Sequence, residues 1–211
     1  MKTENQTERR FYGDAKLEVR RAGTDAKATT LRGYAAKFDV LSENLGGFRE
    51  QIAPGAFSDV LTNDVRALFN HDANAVLGRT TSGTLRIAQD DTGLYYEVDL
   101  PDTQAARDLL VSIERGDVNQ SSFGFRVAPN GDTWDENDEG TIIRTIKKFG
   151  RLYDVSPVTI PAYPDATVGV RSMEGWKEAK NSQIQAEKAK KQAEIRQKND
   201  EKARHLRLIG G

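Results

Sequence analysis

The sequence predicts an α+β fold that is mainly β, followed by a charged helical tail, and three observations carry that prediction. From Lys16 to about Val170 the chain runs as short alternating segments separated by turn residues, the pattern of a sheet-rich domain. One clear helical segment, Thr103 to Arg115, interrupts the strands. From Glu174 onward the composition turns to Lys, Glu, Gln and Ala, with ten basic against six acidic residues, so this end carries +4 and the remainder −5 of the net −1. A chain of 211 residues, 37 % hydrophobic with six prolines, buries one core and is short for two. The expected organisation is a flexible N-terminus over 1–14, one folded domain over 15–172 and the charged helical tail over 173–211.

Within the domain, Leu31 to Phe38 and Thr84 to Gln89 alternate in part. Leu94-Tyr-Tyr-Glu-Val-Asp-Leu100 has the β-branched and aromatic content of a strand, and Asp90-Asp-Thr-Gly93 supplies the hairpin turn before it. A short helix is expected after Ala53-Pro-Gly55. The helix from Thr103 has both of its ends marked. Asp102 or Thr103 can cap the start, Leu109, Leu110 and Ile113 form an inward stripe, and Gly116 can take the left-handed conformation that stops it. Strands are expected over Val118–Val127, Thr141–Lys148 and Arg151–Thr159. The segment Gly131–Gly140 holds five acids, off the EF-hand spacing, and reads as a solvated hairpin tip. Alanines 179, 186 and 193 repeat at seven residues, but Ser182 and Arg196 interrupt the seam, so the tail reads as a solvated helix that needs a partner.

Composition narrows the chemistry. No apolar run approaches the roughly 18 residues of a membrane span, and Met1 to Arg10 is polar, so a soluble intracellular protein is expected, with no membrane partner. The absence of cysteine removes disulfides, thiol nucleophiles and cysteine-type zinc sites. With only His71 and His205, a histidine-rich zinc site is not available from this chain alone, while carboxylate-based metal sites stay open. The near-neutral charge points away from nucleic acid.

Hydroxyl-based hydrolysis needs a base within hydrogen-bond reach and a group that orients the base. His71 ends the apolar segment Val65-Arg-Ala-Leu-Phe-Asn-His71, where a strand would deliver it to a domain edge. His205 lies in the charged tail. Alone, a histidine at a strand end is more often structural than catalytic. Asn119-Gln-Ser-Ser-Phe-Gly-Phe125 offers two small hydroxyls before a glycine that permits close backbone approach. Asp154 sits in the apolar run Leu152–Tyr163, where a carboxylate must face solvent, meet a cation or bond a histidine.

These segments occur together in one order, and with them the chain resembles the prohead serine proteases of tailed phages. The matching pieces are Ile52-Ala-Pro-Gly-Ala-Phe57, Leu68-Phe-Asn-His-Asp72 with Val76-Leu-Gly-Arg79, Ser122-Phe-Gly-Phe125 and Asp154-Val-Ser-Pro-Val-Thr-Ile-Pro-Ala-Tyr163. The resemblance covers roughly 15 to 172. It implies a herpesvirus-protease-like β-barrel flanked by helices, His71 as base and Ser122 as nucleophile, with Asp154 as third residue where the family often has glutamate. Ser121 stands where the family usually has methionine. Neighbours in a strand face opposite ways, so only one of Ser121 and Ser122 can meet His71. Asp72, next to the base, is the alternative orienting group.

The resemblance further implies a serine endopeptidase that cuts the scaffolding segment of the major capsid protein, and itself, inside assembling proheads in the host cytoplasm. The major capsid protein is the implied partner, with the portal and a second copy of the chain as further candidates. The tail would dock the enzyme on the shell and be lost by autolysis. Two rivals stand beside this: a non-catalytic assembly or scaffolding protein that keeps the fold, and a protease with host-regulatory targets.

Overall fold

Strand-forming segments and turn residues alternate through the first 160 residues, and in a computed structural model they settle as three hydrogen-bonded sheets. The structure describes residues 7–12, 15–21, 29–160 and 167–209. One sheet has the order β1 (Glu8–Tyr12), β9 (Gln120–Val127), β12 (Phe149–Val158), β5 (Arg66–Phe69) and β6 (Asp72–Arg79). Its β12–β5 pair is parallel and the others are antiparallel. A second sheet orders β2 (Glu18–Arg21), β3 (Thr29–Lys37), β8 (Gly93–Asp99) and β7 (Leu85–Gln89). The third is β10 (Asp132–Glu136), β11 (Ile142–Ile146) and β4 (Arg49–Ile52).

The implied herpesvirus-protease-like barrel is not found, and mainly-β with two helices is what stands. Among the described residues the larger sheets end on β1 and β6 and on β2 and β7, with no ladder joining first strand to last. Register shifts interrupt the ladders within β3 between Tyr34 and Ala36 and within β12 between Leu152 and Asp154. The first of these also explains why Leu31–Phe38 alternates only in part, since Ala35 and Ala36 are both buried.

The sheets enclose one apolar core. At its centre Phe57 stacks on Phe149 at 4.3 Å, and Phe123 and Phe125 lie edge-on to Phe149. Burying such a side chain contributes roughly 1.5–3 kcal/mol. Phe57 closes the Ile52–Phe57 segment, so that motif anchors the core. The stretch from Pro54 to Thr62 is a run of turns instead of the expected short helix. Its bonds are of the three-residue kind, Ala56 to Ala53, Ser58 to Gly55 and Val60 to Phe57, and Gly55 takes φ +82°.

Helix α1, Gln104–Glu114, follows its sequence signals closely. The Thr103 hydroxyl accepts from the Ala106 N–H, and Gly116 closes the end with φ +84°. Leu109 and Ile113 of the expected stripe are buried, with Ala106 in place of Leu110, which is half-buried. The Asp90 side chain accepts from the N–H groups of Thr92 and Gly93, which makes the β7–β8 turn. The acidic segment differs from a simple tip. Its first half is β10, whose Asp132 accepts from Arg144 at 2.6 Å, and only Asn137 to Thr141 form the turn.

A further difference concerns the first residues. The stretch 1–14, expected to be flexible, supplies β1, which pairs along β9 from Glu8 opposite Phe125 to Tyr12 opposite Ser121. Its Glu8 and Arg10 point inward, while Arg9 between them is exposed. Arg10 bonds Glu8 and Glu50, and Arg144 bonds the same two carboxylates as well as Asp132. Two guanidiniums and two carboxylates thus satisfy one another in the interior, with the half-buried Asp132 at their margin, which is how charge can be buried at all.

The chain divides into two compact units, Met1–Val170 and Arg171–Gly211. Helix α2 runs from Thr167 to Ile209, and within it the Lys180 ammonium lies 4.8 Å from the Trp176 ring centre. Among the described residues no helix is long and apolar enough to cross a membrane.

Candidate active site

The site begins with a hairpin turn. Strands β5 and β6 pair with Phe69 opposite Asp72, leaving Asn70 and His71 as a two-residue loop. Both are left-handed, with φ 54° and 57°, the signature of a type I′ turn. Asparagine is common in such a turn; histidine at the second position, where glycine is usual, costs about 1–2 kcal/mol. The turn is pinned to the end of β12. The Asn70 N–H donates to the Pro157 carbonyl at 3.1 Å, and Asn70 Oδ1 accepts from the Thr159 N–H and hydroxyl at 2.9 and 3.2 Å. At the base of the hairpin Arg79 grips Asp64 through two bonds of 2.7 Å and, by those bonds, holds that carboxyl below its ordinary range. A strained turn fixed at both ends aims one side chain, that of His71.

Strand β9 supplies the hydroxyls. Its alternation sends Ser121, Phe123 and Phe125 to the core and Ser122 and Gly124 to the opposite face. Ser121 Oγ meets the Tyr96 hydroxyl at 2.9 Å and donates to the Ser156 carbonyl at 3.2 Å. Burial pushes Tyr96 well above the usual phenol range, with the Ser121 bond a smaller opposing effect. Ser122 Oγ lies 2.6 Å from His71 Nε2. Geometry therefore separates the two serines that the sequence leaves side by side.

Strand β12 supplies the carboxylate. Two residues of β12 oppose one of β9 between Leu152 and Asp154, and this bulge brings Asp154 opposite Gly124. Asp154 Oδ2 is 2.5 Å from His71 Nδ1. Because a carboxylate only accepts, Nδ1 carries the proton and Nε2 is left as acceptor for the Ser122 hydroxyl. His71 and Asp154 side chains are 5 % and 9 % exposed, so little water competes for these bonds.

Two features lie beyond what the sequence discloses. Ser156 Oγ donates to Asp154 Oδ2 at 2.9 Å. The Ser122 hydroxyl has a second acceptor, the Arg10 carbonyl of β1 at 2.9 Å, and with β1 in place Ser122 has no exposed surface. The spacing Asp154-x-Ser156 could have flagged the first, since alternate strand residues share a face. Nothing in the polar run Glu8–Tyr12 signals the second. Asp72, the alternative orienting group, accepts instead from Asn74, and His205 lies in α2. Among the described residues no group of three or more His, Asp or Glu is placed to hold a metal ion.

A serine, a histidine and a carboxylate in a linear hydrogen-bond chain suit acyl transfer, and comparison with known proteins bears on which kind. The model of the caudovirus prohead serine proteases matches residues 15–180. The chain belongs to that family. The match leaves β1 outside and takes in each prohead-protease segment quoted above. The solved structure of the bacteriophage T4 capsid assembly protease, gp21, aligns with a TM-score of 0.44 and 14 % identity, over 74 % of this chain and 98 % of that chain. No curated protein matches the chain.

Proposed function

We propose that this prohead protease family member is an active serine endopeptidase that cuts the scaffolding segment of the major capsid protein, and itself, inside assembling proheads. The observation that carries the reading is the chain Ser122 Oγ–His71 Nε2, His71 Nδ1–Asp154 Oδ2, at 2.6 and 2.5 Å. Ser122 attacks a peptide carbonyl while His71 takes the hydroxyl proton. The resulting imidazolium is held by Asp154 and returns the proton to the leaving amine. Water, activated by the same histidine, then hydrolyses the acyl-enzyme and regenerates Ser122.

A substrate carbonyl must reach Ser122, whose exposure is 0 %. The reading therefore requires β1 to vacate the β9 edge. That edge would then accept an extended substrate strand through main-chain bonds, the usual way a free sheet edge binds a peptide. The tail over 173–211 serves in this reading to dock the enzyme on the shell and is then shed; a chain truncated after Arg171 that enters shells unchanged would dispose of the docking role.

The test is intact-mass spectrometry of the purified chain beside Ser122→Ala, Ser121→Ala and His71→Ala, incubated with capsid protein. Fragments from the native chain and Ser121→Ala, with the other two silent, support the reading. Silence from all four favours a non-catalytic assembly protein with a protease fold.

A further inference from the structure

We propose that Ser156 is a positioning residue for His71, acting through Asp154 with Gly124 as the other wall of the carboxylate's seat. The inference rests on the reading of Ser122 as nucleophile.

The β9–β12 ladder sets a two-by-two block, with Ser156 opposite Ser122 and Asp154 opposite Gly124. Ser156 is wholly buried. Its hydroxyl has one proton, and two acceptors are within range, Asp154 Oδ2 at 2.9 Å and His71 Nδ1 at 3.4 Å. Nδ1 already carries a proton toward Asp154, so the Ser156 proton goes to Oδ2. Two donors from different elements, His71 on the hairpin turn and Ser156 on β12, then converge on one carboxylate oxygen. A carboxylate on a single-bond pivot can rotate about its bond to Cβ; a second donor fixed in a strand removes that freedom.

The other oxygen is confined from the opposite side. A Cβ placed on Gly124 would sit 2.5 Å from Asp154 Oδ1, inside any tolerable contact. Since Oδ2 is tied to His71 and Ser156, the carboxylate cannot swing clear, and any side chain at 124 must displace it. The glycine of Ser-Phe-Gly-Phe is thus the space that the shorter carboxylate occupies. Displacing Asp154 tilts the imidazole and moves Nε2 off Ser122, and misplacement of about 1 Å can cost a hundredfold in rate.

The experiment measures labelling of the full chain by a fluorophosphonate in the native protein, Ser156→Ala, Gly124→Ala, Asp154→Ala and the double variant Ser156→Ala with Asp154→Ala. The downfield proton resonance of His71 Nδ1–H is recorded for each, and thermal melting confirms folding. Ratios of rates report on the site where labelling is linear in fluorophosphonate concentration, so that any opening of β1 is a rapid pre-equilibrium common to the variants. The expected result is a loss between about tenfold and a hundredfold for Ser156→Ala and for Gly124→Ala. The Ser156→Ala loss should vanish when Asp154 is already alanine, and its Nδ1 resonance should shift or broaden. Labelling of Ser156→Ala within twofold of native, or the same loss with and without Asp154, overturns the proposal. A native chain that does not label at all speaks against the protease reading instead. In that case the resonance decides this inference, and an unchanged Nδ1 signal in Ser156→Ala overturns it.

Discussion

The Arg10 carbonyl oxygen and His71 Nε2 compete for a single proton, that of the Ser122 hydroxyl, at 2.9 and 2.6 Å. Strand β1 therefore offers the Ser122 proton another acceptor. Removing residues 1–12 takes away the Arg10 carbonyl and leaves His71 as the acceptor. Arg144 keeps Glu50 and Asp132 as partners after the truncation, so no buried guanidinium is stranded. The shortened chain should label with a fluorophosphonate at least about tenfold faster than the full chain, a change of 1.4 kcal/mol or more in the opening cost. Equal rates would mean that β1 does not govern access.

Acid should loosen the same strand. Burial pushes the Glu8 carboxyl up, but Arg144 and Arg10 beside it outweigh that effect and hold it below its reference value of 4.5. A carboxyl depressed in the folded state contributes stability that is complete above the unfolded value and disappears as pH falls through the folded one. The loss from Glu8 therefore sets in below pH 4.5 and not near neutrality. Trp134 reports on it, because its ring packs on Phe48 at 5.0 Å and under the Arg144 guanidinium at 5.5 Å. In a Trp176→Phe background, tryptophan emission should stay flat from pH 8 to about 5 and change below. A transition centred near pH 6 to 7 would point to another group.

The hairpin turn can be taken apart by two substitutions at one position. Asn70→Gly keeps a residue at ease with φ 54° but removes the acceptor of the Thr159 bonds, whereas Asn70→Ala removes the acceptor and also meets the left-handed penalty. Asn70→Ala should be less stable than Asn70→Gly by about 1–2 kcal/mol in urea unfolding. Both should label more slowly than native, because each loses the Thr159 bonds and leaves the turn held to β12 by the main-chain bond to Pro157 and by His71 itself. A glycine variant as active as the native chain would show that the Thr159 bonds do not aim the imidazole.

Legibility followed the range of the interactions. The β7–β8 turn and helix α1 were readable because their signals, the Asp90 side chain and the Thr103 cap, act within a few residues. His71, Ser122 and Asp154 could be singled out as unusual residues in apolar segments, but their meeting depends on a bulge in β12 and a left-handed turn that no local pattern encodes. Strand β1 reads as a polar extension because its inward residues are charged, and the partners that make this tolerable, Glu50 and Arg144, lie 40 and more residues away. Whether the sheets close was illegible for a related reason: it depends on pairing between distant strands. The acidic segment misleads because Asp132 finds Arg144 and joins a strand.

The two adjacent serines give the sharpest contrast. Ser122→Ala removes the attacking oxygen and should abolish labelling while leaving folding intact, because His71 retains Asp154 and the Arg10 carbonyl retains its ladder position. Ser121→Ala should do the reverse. It leaves the Ser122–His71 bond untouched but strips the wholly buried Tyr96 hydroxyl of its partner. A buried hydroxyl without a partner costs about 1–3 kcal/mol, so Ser121→Ala should melt lower and unfold earlier in urea by that amount. The double variant Ser121→Ala with Tyr96→Phe removes both ends of the bond and should regain much of the loss, since the Tyr96 hydroxyl goes with its partner and only the Ser156 carbonyl still loses a donor. Activity lost in Ser121→Ala but kept in Ser122→Ala would exchange the two roles and remove the basis of the proposed mechanism.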